Sequence, residues 1–143
     1  MLRKLCLALA ATTMTLACAP AMAQTAAAEE ARTTYRIVFL KLKPGSDERW
    51  SELTTKYFGP ASDEAKVKRS TIHWLVAGPW DLMLVQELPR GLATLDMHET
   101  PERKAMRAAM AKIAGGEEAA KKIYAENDSL IAERSVVFSH THP

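Results

Sequence analysis

The chain has 143 residues, with 19 lysines and arginines against 17 aspartates and glutamates, so its formal net charge is only +2. A chain of this length forms one compact domain, and so weak a charge gives no reason to expect a nucleic-acid partner. The sequence has no glycine-rich phosphate loop, no Gly-x-Ser-x-Gly elbow, no Cys-x-x-Cys-His haem attachment and no His-Glu-x-x-His motif. These absences argue against nucleotide-driven work and serine hydrolysis.

Residues 1–23 have the three parts of a cleavable secretory signal. Positions 3 and 4 are basic, and residues 5–16 are mostly apolar but too few to span a bilayer of about 30 Å. Small residues then precede the expected cut at Ala-Met-Ala, residues 21–23. We therefore expect a periplasmic or secreted protein that begins at Gln24 and has no membrane contact after the signal is cleaved.

Two alternatives to this cleavage stay open. An uncleaved anchor would need a longer apolar stretch than the sequence provides. Lipidation of Cys18 is suggested by Leu-Ala-Cys at 16–18, although Thr15 occupies a position that is usually aliphatic in lipoprotein signals. Cleavage after Ala23 would remove both cysteines and two basic residues, which leaves seventeen basic against seventeen acidic residues. The exported chain would then form no disulfide and no cysteine-bound metal site.

The first half of the exported chain predicts a leader, a strand and a helix. Residues 24–33 are rich in alanine and glutamate without an apolar period, which predicts a mobile leader before a single domain at 34–143. Residues 35–42 are β-rich and end at a Pro-Gly turn, which predicts the first strand. Ser46, followed by two acidic residues, predicts a helix start. The apolar residues of this helix recur at helical spacing and are Trp50, Leu53, Tyr57 and Phe58.

The second half predicts a hairpin, a long helical region and a last strand. The Gly-Pro pair at 59–60 predicts a break or kink in the first helix, with further turns over 61–68. Thr100 before Pro101 is a helix start, and Gly115-Gly116 divides the helix that follows. The remaining predicted elements are strands at 71–77, 81–88 and 135–140 and a helix at 117–132.

This order, β-α-β-β-α-β, predicts a ferredoxin-like α+β fold with both helices on one face of an antiparallel sheet. The first and third strands are apolar on both sides, because Ile37 and Phe39 alternate with Val38 and Leu40 in the first. Helices are available for only one face. We therefore expect a homodimer in which a second sheet covers the other face.

Three segments, residues 37–45, 78–85 and 98–102, resemble the dimeric α+β barrel superfamily. They are similar to its first strand with the Pro-Gly turn, to the entry of its third strand, and to the start of its second long helix. The superfamily includes stress-responsive barrel, EthD-like and NIPSNAP-like domains and antibiotic-biosynthesis monooxygenases. Its members include cofactor-free oxygenases, isomerases, haem enzymes and proteins without known activity. The resemblance therefore implies a fold and a dimer rather than a reaction, and the Gly115-Gly116 break leaves the subfamily unassigned.

Three residues are candidate catalytic groups. His73 is predicted on the strand face that looks into the barrel, where a neutral imidazole is a candidate general base. Asp81 and His98 would assist it. Structural interpretations are favoured, with His73 as a core or interface residue and Asp81 as a turn-stabilising residue. The candidate ligand-binding residues are Trp74, Trp80, Met83, Glu87 and His140.

A metal site is a further hypothesis. His140 and His142 point the same way on a strand, as two imidazoles sharing a metal would, but no third ligand is evident. The alternative is a solvated chain end. Met97, Met106 and Met110 near His98 suggest copper, although core packing fits their helical spacing better. We expect no cofactor.

The sequence therefore predicts an exported homodimer that binds a small apolar or aromatic molecule in its barrel or under its helices. Its enzymatic form would be a cofactor-independent oxygenase or isomerase. The alternative is a non-catalytic binding or assembly protein of the cell envelope. His140 is expected at the mouth of the barrel, in the ligand site or the dimer seam.

Overall fold

A computed structural model describes residues 32–142. The predicted signal at residues 1–23 and nearly all of the predicted leader lie outside the described residues. The elements in chain order are β1 (Thr34–Leu42), α1 (Asp47–Leu53), a π-helical turn (Thr54–Phe58), α2 (Gly59–Glu64), β2 (Thr71–Trp74), β3 (Leu82–Leu88), a 3₁₀ helix (Gly91–Asp96), α3 (Pro101–Ala114), α4 (Glu117–Ser129) and β4 (Ile131–His140). None of the described helices is both long and apolar enough to cross a membrane.

The four strands form one antiparallel sheet in the order β2-β3-β1-β4. This is the predicted ferredoxin-like arrangement, so the α+β fold class is confirmed. In this register Val38 lies opposite Leu84 on one side and Val136 on the other. Side chains alternate across a strand, so these three share one face of the sheet.

The helices cover that face, which we call the helix-side face. Its core residues Val38, Leu40, Leu42 and Leu82 are buried against Trp50 of α1. A second core cluster lies within the helical layer and consists of Leu53, Ala61, Ala109, Met110, Ala120 and Ile123. The opposite face of the sheet has no helix on it among the described residues, and we call it the helix-free face.

The predicted helix starts have different local chemistry. At the start of α3, the Thr100 hydroxyl accepts a hydrogen bond from the Arg103 backbone N–H at 3.1 Å. Ser46 lies at the N-cap of α1 but makes no side-chain capping bond. The glycine pair divides α3 from α4 as predicted, because Gly115 and Gly116 have φ values of 87° and 137°, which favour glycine.

The break or kink predicted at 59–60 takes the form of a π-helical turn. Pro60 has no N–H to donate to the fourth residue before it, so the regular ladder is interrupted there. The Gly59 N–H donates to the Thr54 carbonyl, five residues back. The helix therefore continues from α1 into α2 with one wider turn, as in other π-bulges.

Two strand boundaries and one element differ from the prediction. β4 begins at Ile131 rather than at residue 135, because the long β1 provides partners as far as Leu42. Ladder pairing thus overrides the helical spacing at the end of α4. β2 ends at Trp74 rather than at residue 77, where the Leu75 N–H donates to the Asp81 carbonyl at 2.8 Å and the chain turns. The 3₁₀ helix was not predicted.

Candidate functional site

A cleft of about 1170 Å³ lies between the helix-side face and the helical layer. Its sheet surface includes Val38, Leu84 and Phe138, and its helical surface includes Phe58 and Met106. The sheet core and the helical core are separate clusters, and the cleft opens between them. An apolar cavity with a few polar groups is the usual form of a small-molecule site.

The charged residues that line the cleft are mostly basic. Eight lysines and arginines line it against two glutamates. Both glutamates are already paired, Glu87 with Lys68 at 2.6 Å and Glu102 with Arg90 at 2.6 Å. The basic residues are Arg36, Lys66, Lys68, Arg69, Arg90, Arg103, Arg107 and Arg134. Carboxylates pair with five of these eight, which leaves Arg36, Lys66 and Arg103 as the cleft cations without a carboxylate partner among residues 32–142.

Arg36 is the half-buried member of this basic set. It lies in β1 between Phe138 and Gln86 of the neighbouring strands. Burial lowers the pKa of its guanidinium, and the positive charges of Arg134 and Arg103 lower that pKa further. Within residues 32–142, the Arg36 side chain makes no hydrogen bond or ion pair.

Its two charged neighbours are only partly neutralised. The Arg134 guanidinium donates to the Asp128 carboxylate at 2.8 Å, whereas the Arg103 guanidinium donates to the His98 carbonyl, at 3.5 Å, and pairs with no carboxylate among residues 32–142. Three arginines thus share one region with one carboxylate partner on the described part of the chain. We call Arg36, Arg103 and Arg134 the arginine group.

The helical side of the cleft contributes the phenol of Tyr124 and a close approach of the Gly59 backbone to the Arg69 side chain. Burial raises the pKa of Tyr124, so its hydroxyl is neutral and able to donate a hydrogen bond. Its ring meets Phe58 edge-on at 5.6 Å. At the π-helical turn, a Cβ added to Gly59 would lie 3.2 Å from the Arg69 guanidinium, so glycine leaves room for that side chain.

The predicted catalytic residues are not brought together. His73 is exposed on the helix-free face, in register with Met83. The Asp81 carboxylate accepts the Leu42 N–H at 2.7 Å, as expected for a structural residue. His98 lies before α3, at the far end of β3 from Asp81, and a strand of seven residues spans about 20 Å. None of the chain's histidines lines the cleft.

The predicted ligand-binding residues are divided between the two faces. Trp74 is 50% exposed and meets Trp50 edge-on at 6.0 Å, on the helix side. Trp80 meets Phe39 at 6.1 Å on the other side of the sheet. The two tryptophans therefore do not form one aromatic wall. Met83 and Glu87 share the helix-free face by register, and Glu87, at the end of β3, also reaches the rim of the cleft.

The terminal histidines contact each other. The rings of His140 and His142 lie 4.8 Å apart in an edge-on arrangement. No cluster of three or more His, Cys, Asp or Glu side chains suited to a metal ion occurs between residues 32 and 142. His140 pairs with Thr34 and lies exposed on the helix-side face, at the end of β4. This position follows from the register, which places even-numbered β4 residues beside Val38.

The methionines that suggested copper are divided in the same way between core and surface. Met110 is fully buried in the helical core, and Met106 packs against that core. Met97 is 37% exposed at the edge of the cleft. Core packing, the favoured interpretation, is confirmed for Met110.

The helix-free face has an apolar centre. Ile37 lies between Val85 and Val137 in adjacent strands, and Phe39 lies beside Met83. Polar residues surround this centre, and they include Tyr35, Lys41, Thr71, His73, Glu87, Ser135 and Ser139. An apolar centre with a polar rim is the usual anatomy of a protein interface.

Sequence-based reasoning missed the arginine group. Arg36 lies on the same strand face as Val38 and Leu40, which are both buried. A charge in an apolar row was the available signal, because buried cations without partners are rare. Arg103 and Arg134 had no such signal, since only the fold brings them near Arg36.

Two solved structures share this architecture. A NIPSNAP family protein from Agrobacterium tumefaciens matches with a TM-score of 0.51 and 10% identity, over 78% of this chain and 86% of that one. A second NIPSNAP family protein of unknown function from the same organism matches with a TM-score of 0.50 and 12% identity, over 76% and 87% of the two chains. What is shared is the fold.

The predicted resemblance to NIPSNAP-like domains is thus confirmed at the level of the fold, with no subfamily assigned. No protein-family model matches the chain, and no curated protein matches it. A shared fold of this kind specifies no reaction.

Proposed function

We propose that this protein is an exported homodimer that binds a small, largely apolar molecule in the cleft under its helices. The observation that carries the proposal is the cleft itself. It has a volume of about 1170 Å³, an apolar sheet surface and polar groups that converge on it. Sites of this form bury most of a ligand's surface while a few polar groups orient it.

Binding without catalysis fits the cleft better than an oxygenase or isomerase does. The proposed general base, His73, lies on the opposite face of the sheet. The carboxylates of the cleft, Glu87 and Glu102, are held in ion pairs. A general base must reach the proton that it removes, and no candidate of this kind points into the cleft from the described residues.

The dimer is proposed through the helix-free face. On this face the side chains of two neighbouring strands form one continuous apolar patch, which consists of Ile37, Phe39, Met83 and Val85. In a monomer this patch would be in contact with water. A second copy related by a two-fold axis presents the same apolar centre and polar rim, so apolar centre packs on apolar centre and polar rim on polar rim. His73 and Trp80 would then lie in or beside the seam.

The cleft is tested by filling it. Gln86 lies on the helix-side face of β3 and lines the cleft, so Gln86→Trp should block it. We expect the neutral fluorophore N-phenyl-1-naphthylamine to bind the natural protein with a blue-shifted, enhanced emission. We also expect Q86W to lose this binding. The control is K122W, an exposed α4 position outside the cleft, which should bind normally.

The result that contradicts the proposal is equally specific. Unchanged binding by Q86W would place the fluorophore elsewhere, and no binding by any form would remove the cleft as a ligand site. A folded state for each variant is confirmed by its thermal unfolding transition, so that lost binding is not mistaken for lost structure.

Export is tested on protein from the cell envelope. Mass spectrometry should find a chain that begins at Gln24, because the signal would be cut after Ala23. A diacylglycerol-modified Cys18 at the N-terminus would replace this proposal by a lipoprotein. An intact Met1 in the cytoplasmic fraction would contradict export.

A further inference from the structure

We propose that the cleft selects apolar molecules that carry one terminal oxyanion, a carboxylate or a phosphate, and that the arginine group binds this oxyanion. The inference rests on the proposed function, since it assigns a ligand class to the same cleft. It goes beyond that function because an apolar cleft alone would show no preference for charge.

The first argument is the distribution of charge. The exported chain would be formally neutral, whereas the cleft is lined by eight basic and two acidic residues. Five of the eight basic residues are paired with carboxylates, namely Lys68, Arg69, Arg90, Arg107 and Arg134. Arg36, Lys66 and Arg103 are the cleft cations that have no carboxylate partner among residues 32–142. A concave surface with charges of one sign concentrates ligands of the opposite sign, because the low-dielectric walls focus the field.

The second argument is the state of Arg36. A half-buried guanidinium usually has a carboxylate partner, because a desolvated charge without one is costly. The Arg36 side chain has no such partner between residues 32 and 142, and Arg103 and Arg134, which line the same cleft, add positive charge near it. A bound oxyanion would remove both costs at once.

The third argument is the chemistry of the group and its surroundings. Guanidinium groups present a planar set of donors that matches carboxylate and phosphate oxygens in pairs. Phe138 and Gln86 flank Arg36 in the sheet, and Phe138 lines the cleft. A ligand whose oxyanion meets Arg36 therefore places its apolar part along Val38 and Leu84.

The test compares matched ligands on the mature dimer by isothermal titration calorimetry. Dodecanoate, dodecyl phosphate and dodecan-1-ol share one chain and differ at the end group. We expect at least one of the two anions to bind about tenfold or more tightly than the alcohol, as charge-assisted hydrogen bonds allow. The stronger of the two anions identifies the oxyanion class.

Variants then assign the preference to the arginine group. Arg36→Gln should remove the preference for the anion while the alcohol binds as before, which also shows that the cleft is folded. If R36Q does not fold, Arg103→Gln should reduce the same preference. K122Q removes the same charge from the exposed surface of α4 and should change neither affinity.

The remaining outcomes overturn the inference in distinguishable ways. Equal binding of anions and alcohol would leave the proposed function intact and refute the selectivity. A preference that survives in R36Q and R103Q would refute the role of the arginine group. No binding of any of the three ligands would refute both the selectivity and the cleft as a site.

Discussion

At the scale of single residues, Asp81 illustrates how a candidate catalytic group serves the fold. Its carboxylate accepts the Leu42 N–H at 2.7 Å, and its own N–H donates to the Leu40 carbonyl at 3.0 Å. The carboxylate thus provides the hydrogen-bond acceptor for the last N–H of β1, beyond the end of the ladder between β1 and β3. Asp81 is a link between strands rather than a partner for His73.

Replacing Asp81 by alanine should therefore reduce stability without affecting the ligand. We expect D81A to lower the free energy of unfolding by about 1 kcal/mol, the usual value of one such hydrogen bond, as measured by urea denaturation. D81N keeps an acceptor oxygen and should lose less. Normal stability with lost ligand binding would restore Asp81 as a site residue.

The sequence predicts which face of a strand a residue occupies, but it does not predict which residues of different elements come into contact. The alternation in β1 correctly separated Val38 and Leu40 from Ile37 and Phe39, because the strand period is two. The position of His140 depended on the pairing register, which the sequence of one strand does not contain. The arginine group depended on three separate elements.

At the scale of elements, the two helix starts provide a matched pair. Thr100 is buried at the start of α3 and its hydroxyl binds the Arg103 N–H, whereas Ser46 occupies the same position of α1 without a capping bond. We expect Thr100→Ala to cost about 1 kcal/mol of stability and Ser46→Ala to cost little. Equal losses in thermal or urea unfolding would mean that the capping bond contributes nothing measurable.

The elements themselves were largely predictable, and the exceptions have physical causes. Capping residues, the glycine pair and strand alternation gave the order and type of the main helices and strands. Gly59-Pro60 predicts a break or kink, and the hydrogen bond from the Gly59 N–H to the Thr54 carbonyl, five residues back, keeps the helix continuous there. The start of β4 was missed because pairing with β1 extends the strand beyond its β-rich residues.

At the scale of the whole molecule, two adjacent valines test the proposed dimer. Val137 lies on the helix-free face and Val136 on the helix-side face, and they are 43% and 40% exposed. We expect Val137→Lys to convert the dimer to a monomer, because it would bury a charge in the apolar centre of the interface. V136K should remain a dimer by light scattering. Dissociation by both variants, or by neither, would contradict this assignment of the interface.

In the proposed dimer the two faces of the sheet have different roles. The helix-free face would join two copies, while each copy has its own cleft on the other side of its sheet. The sequence predicts a ligand site either in the barrel or under the helices. It does not distinguish the two, because the space under the helices depends on how closely the helical layer packs against the sheet.

The most direct test of the account is ligand binding by a monomer. N-phenyl-1-naphthylamine should bind the V137K monomer with the affinity of the natural dimer and with one site per chain, because the cleft lies within a single copy. Adding Q86W to that monomer should abolish the binding. If V137K is folded and monomeric but no longer binds the fluorophore, the site is formed by the barrel between two copies and the account is contradicted.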